Sequence, residues 1–131
     1  MKPKILCISD SANLNTGMGI AVRNIAYRLH LTGKYEVSTC GWFFKDWMKW
    51  NYPWKQYTIV GNKNPYGHPD GWIGPENPNI ATEKELEDCG ANQIIRKAQP
   101  DIVILLADVW MGDIYTKIPT RDSYKLIWEC F

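Results

Sequence analysis

Pro100-Asp101-Ile102-Val103-Ile104-Leu105-Leu106-Ala107-Asp108 contains the strongest buried-strand pattern in the chain. Its aliphatic residues follow one another without a polar residue between them, where a strand wet on one face would alternate. Such a run suits a parallel sheet covered on both faces. Toward the amino terminus, Lys4-Ile5-Leu6-Cys7-Ile8-Ser9 carries the same near-continuous apolar pattern. Met18, Val22, Ile25 and Leu29 then recur at helical spacing, and Gly33 stands where a helix stop is expected. Tyr35 to Cys40 reads as the next strand. The chain therefore opens with a strand–helix–strand unit, whose crossover should be right-handed.

The centre is irregular. Gly41 to Trp54 is dense in aromatic residues, Gln56 to Val60 reads as a short strand, and Gly61 to Asn79 holds four Pro and four Gly, the composition of a loop. Thr82-x-x-Glu85 has the form of a capping box and opens a helix predicted to run to about Ala98. Leu86, Ile94 and Ile95 lie on its apolar side, and Gly90 falls in its interior, at a cost of about 1 kcal/mol relative to Ala. Ala107 to Pro119 reads as a loop or short helix and Tyr124 to Trp128 as a last strand. The sequence stops three residues later, so a domain truncated before its covering helix is expected. The expectation is one α/β domain over residues 1–131, with parallel strands near 4–9, 35–40, 102–106 and 124–128 and helices near 18–31 and 83–98.

Composition narrows the function classes. Fifteen basic and fourteen acidic residues leave a net charge of +1 with no Lys/Arg block, so nucleic acid is not an expected partner. The apolar run that follows Met1-Lys2-Pro3-Lys4 is too short for a signal segment or a membrane span, and a cytoplasmic location is expected. Cys7, Cys40, Cys89 and Cys130 are scattered without a CxxC pair, and His30 and His68 are not at metal-ligand spacing. Free thiols packed as small apolar groups, and no metal, are the expectation.

Three stretches could carry chemistry. Asn15-Thr16-Gly17-Met18-Gly19 lies between the first strand and the first helix, where glycines admit a ligand to the backbone and unpaired N–H groups attract anions. A phosphate, a sugar, or no ligand at all beyond a turn and a cap fits this pattern. A Walker loop is excluded because no lysine follows Gly19, and a dinucleotide fingerprint because Val22 and Cys40-Gly41 stand where a small residue and an acid are required. Ala107-Asp108-Val109-Trp110 follows the best strand, and Asp10 ends the first, so the two loops are expected to line one crevice. There Asp108 would accept sugar hydroxyls, orient a base, or cap the next turn. Residues 42–54, with Trp42, Trp47, Trp50 and Trp54, would stack on a sugar, meet a membrane surface, face a protein partner or cover a core.

In order and spacing these motifs resemble a known family. The strand ending in Ser9-Asp10, the Asn15-Thr16-Gly17-Met18-Gly19 loop, the helix with Arg23-Asn24, Leu29 and Gly33, and Pro100-Asp101-Ile102-Val103-Ile104-Leu105 with Asp108 and Trp110 are similar to the N-terminal domain of retaining GT-B-fold glycosyltransferases. The resemblance covers about two-thirds of the chain and is loose over residues 42–80. It implies a Rossmann-like parallel sheet flanked by helices, on the acceptor side of a cleft. A second Rossmann-like domain, absent from this sequence together with its glutamate-pair donor motif, would hold most of the nucleotide-sugar site. It also implies hexosyl transfer from a nucleotide sugar to an acceptor without metal or cofactor. Asn15, Thr16, Gly17 and Gly19 would lie near donor phosphates and the transferring sugar, with Asp108 and Trp110 facing the cleft. This chain alone would be inactive. The alternative is a non-catalytic Rossmann-like module that binds a protein or membrane surface through residues 42–54.

Overall fold

The computed structural model of the chain describes residues 1–42, 50–57 and 78–129, the side chains of Trp42, Trp110 and Met111 excepted. A five-stranded sheet runs through it, built from β1 (Lys4–Asp10), β2 (Glu36–Trp42), β3 (Lys55–Tyr57), β4 (Ile102–Leu106) and β5 (Lys125–Glu129). Every neighbouring pair is parallel, in the order β3-β2-β1-β4-β5. With helices on the sheet this is a Rossmann-like α/β domain. β1 holds the central position because its unbroken apolar run is dry on both faces, and β4 beside it is buried on one face and half-buried on the other. Alternate residues of each strand enter different cores. Leu6, Ile8, Val103 and Leu105 join one, while Ile5 and Cys7 join the other.

The connections sort by face. α1 (Gly17–Leu31) packs Val22 and Ala26 on the Ile5/Cys7 side, together with Trp54 from the β2–β3 connection. α2 (Glu83–Asp88), α3 (Gly90–Ala98), α4 (Val109–Gly112) and two 3-10 turns (Asp113–Thr116 and Pro119–Ser123) connect β3 to β4 and β4 to β5. The core on the Leu6/Ile8 side takes Ile94 and Ile95 of α3, Ile114 and Tyr115 of the first turn, and Tyr124. Trp50, Tyr52 and Trp54 are structural cover. Trp54 is buried, donates its indole N–H to Thr39 Oγ1 at 3.0 Å, and lies against Tyr52, Tyr27 and His30. Residues 43–49 of the aromatic stretch, His68 and Cys130 lie outside the described residues, as do residues 58–60 of the short strand expected after Gln56.

The helix expected over residues 83–98 is two helices. Its capping box forms as expected, with Thr82 and Glu85 bonding each other's backbone N–H. At Cys89, however, the backbone turns extended (φ −67°, ψ 155°) and α3 restarts at Gly90. Side chains replace the interrupted ladder. Asn92 Nδ2 donates to the Glu87 carbonyl at 2.9 Å and Gln93 Nε2 to that of Asp88 at 2.7 Å. Helical periodicity survives such a break, because Leu86 still packs beside Ile94 and Ile95.

Candidate functional site

The carboxyl ends of β1 and β4 meet at the point where strand order reverses. The chain leaves β1 for β2 on one side, and β4 and β5 lie on the other. Open α/β sheets form their ligand crevice there, since neighbouring connections leave in opposite directions. Ser9 joins the two strand ends, its buried hydroxyl donating to the Leu106 carbonyl at 2.8 Å. Ile8 pairs with Leu105, so Asp10 is level with Ala107 and Asp108 follows one residue beyond.

Asp10 is only 7% exposed. Thr16 Oγ1 donates to Asp10 Oδ2 at 2.6 Å and accepts the Gly19 N–H at 3.0 Å. Thr16 is thus the N-cap of α1 and links its first turn to a carboxylate, which the helix dipole favours at this end. Among the described residues nothing bonds Asp10 Oδ1, or the N–H groups of Gly17 and Met18. An unbonded acceptor and unbonded donors therefore lie together at the turn from β1 into α1.

The two loop glycines differ. Gly17 is exposed, and a β-carbon there would meet nothing within 4 Å. Gly19 is buried beneath its own loop, where a β-carbon would lie 2.8 Å from the Leu14 carbonyl oxygen and 2.9 Å from that of Ser11. Open space for a ligand lies at Gly17. Asn15 and Thr16 are exposed at the loop's crest. Arg23 extends from α1 over the loop, with Nη1 3.5 Å from both the Ala12 carbonyl oxygen and the Tyr52 hydroxyl.

Asp108 occupies the N-cap position of α4 with an extended backbone, yet its side chain makes no capping hydrogen bond. The half-buried carboxylate stays open at the end of β4. Trp110 follows in α4, its side chain outside the described residues.

Sequence reasoning did not single out two residues that shape this end of the sheet. A β-carbon on Gly41 would fall 2.3 Å from Ser11 Cα, so β2 presses directly on the β1–α1 loop. Gly112 similarly packs on the Trp128 indole, where a β-carbon would lie 2.6 Å from its ring. Glycine at the end of a strand or helix was the available signal, and only the tertiary contact gives it meaning.

A separate cleft of about 1080 Å³ opens at the amino ends of the strands, between Lys2, Lys4, His30, Trp54 and Asp101. It lies at the other end of the sheet from Asp10 and Asp108. The carboxyl end is preferred as the site because Asp10 Oδ1, the first N–H groups of α1 and the Asp108 carboxylate all lie at that end without partners among the described residues. Among the described residues no three His, Cys, Asp or Glu side chains gather as a metal ion would require, and no helix is long and apolar enough to cross a membrane. The chain matches no protein-family model, and no curated protein matches it.

Proposed function

We propose that this chain is the acceptor-side domain of a nucleotide-sugar-dependent glycosyltransferase of GT-B architecture, and that the crevice receives the acceptor sugar. The observation that carries the reading is Asp10, hydrogen-bonded through Thr16 to the start of α1 beside the unbonded N–H groups of Gly17 and Met18. A carboxylate acceptor next to backbone donors suits neighbouring hydroxyls of a sugar ring. One hydroxyl donates to Asp10 while the next accepts from the helix. A phosphate suits the loop less well, because Asp10 already supplies negative charge at that helix end. Asp108 adds a second carboxylate to bind a hydroxyl or take its proton during transfer.

Transfer also needs the donor held across a closed cleft. The described residues form a single sheet. The 131-residue chain should therefore bind acceptor without turnover, the donor site belonging to a second Rossmann-like domain. Saturation-transfer NMR with a panel of methyl hexosides and with UDP-glucose tests the reading. Methyl hexosides are expected to receive magnetisation, and Asp10→Asn to weaken that binding at least about tenfold, the loss of one charge-assisted hydrogen bond. No contact from any hexoside, undiminished binding by Asp10→Asn, or sugar transfer by this chain alone would overturn it.

A further inference from the structure

Arg23 lies in the second turn of α1, and its half-buried side chain reaches back to the β1–α1 turn. One guanidinium nitrogen, Nη1, meets two neutral oxygens at 3.5 Å, the Ala12 carbonyl and the Tyr52 hydroxyl. Among the described residues neither Nη2 nor Nε has a partner, and no carboxylate pairs with the guanidinium. Rings hold the second of these anchors. Tyr52 stacks on Trp54 with centroids 5.0 Å apart and 10° between planes, and Trp50 meets it edge-on at 5.0 Å. Trp54 is itself buried in the core beside α1. The Tyr52 hydroxyl is thus a fixed point, and while its oxygen accepts from Arg23 its own proton remains to be donated.

A half-buried guanidinium that touches only neutral groups lacks charge compensation. Its planar fork fits a carboxylate through two parallel N–H bonds. Ala12 follows Asp10 by two residues. The carbonyl under Arg23 therefore lies within about 7 Å of chain from Asp10, a span that one sugar ring bridges. We propose that the acceptor is a hexuronic acid. Its ring hydroxyls are taken at Asp10 and the start of α1, and its carboxylate by the Arg23 fork and the Tyr52 hydroxyl. This assignment rests on the acceptor-sugar reading above and narrows it to an anionic class. A carboxylate fits better than a phosphate monoester, because the negative charge of Asp10 in the same turn repels a dianion more than a monoanion.

Chemical-shift titration of the full chain tests the assignment, with circular dichroism to verify each variant's fold. The titrants are methyl hexosides, methyl hexuronosides and methyl hexoside 6-phosphates of matched ring configuration. The hexuronoside should bind at least about tenfold more tightly than the neutral hexoside, and added salt should narrow that margin. Arg23→Gln should abolish the margin and leave the neutral hexoside bound as by the wild type. Arg23→Lys, a point charge without the fork, should keep only part of it. Tyr52→Phe should reduce it, but less than Arg23→Gln does. Equal binding of hexosides and hexuronosides would overturn this inference and leave the acceptor-sugar reading standing. A margin that survives Arg23→Gln, a Gln variant that weakens both sugars alike, or tighter binding of the 6-phosphate would overturn it as well. If no sugar of any kind binds, both readings fall.

Discussion

Gly17 and Gly19 stand two positions apart in one loop, and their hydrogens face different surroundings. At Gly17 the backbone has no positive φ and the space around it is open. Gly17→Ala should therefore leave stability unchanged or raise it by about 0.5–1 kcal/mol, through the lower entropy of the unfolded chain. At Gly19 the added carbon would strike two carbonyl oxygens of its own loop, both backbone atoms that cannot rotate away. Gly19→Ala should cost about 1–3 kcal/mol. Urea melts of the two variants should move in opposite directions or at least part by that amount. Equal shifts would mean that the loop does not close over Gly19. For ligand binding, substitution at Gly17 is accordingly the cleaner probe.

At the scale of elements, Asn92 holds the broken helix together. It is fully buried in the first turn of α3, donating to Glu87 of α2 and accepting from both the Thr120 N–H and the Thr120 hydroxyl. One side chain thereby joins α2, α3 and the turn before β5. Asn92→Ala would leave a helix-end carbonyl and the Thr120 donors without partners, at about 1–3 kcal/mol for each buried group that water cannot reach. Its urea midpoint should fall more than that of Gln93→Ala, because Gln93 is exposed and its bonded carbonyl can turn to water. Equal losses would show that α2 and α3 dock without this tie.

The whole molecule should be sensitive to alkali. Burial pushes the Cys7 thiol from 9.0 up to about 12 and the Tyr124 hydroxyl from 10.0 up to about 12, and it holds Tyr115 well above 10.0. Below pH 9 both the folded and unfolded chains keep these protons, so the groups exert no pH dependence. As pH rises further, the unfolded chain ionises first while the folded chain stays protonated. Unfolding then gains, and the stability present below pH 9 is lost progressively toward pH 12. Urea midpoints should stay level on the acid side of this window and decline through it. A level midpoint across the window would contradict the burial of these groups. Cys7→Ala and Tyr124→Phe should each flatten the decline.

Periodicity in the sequence was enough to determine the parallel sheet, because a run such as Ile5–Ile8 is stable only when both faces are dry, and that condition is local to the strand. It also placed Asp10, Asp108 and the loop from Asn15 to Gly19 at the carboxyl ends of β1 and β4. Tertiary structure decided the rest. Only folding brings Ser11 against Gly41, fits Gly19 beneath the Leu14 carbonyl and joins Thr16 to Asp10. Only folding assigns Trp54 to the core, and breaks the helix at Cys89 where Asn92 can replace the ladder. These are contacts between segments distant in the chain or rotations about single bonds, and a one-dimensional pattern of apolar and polar residues carries no record of either.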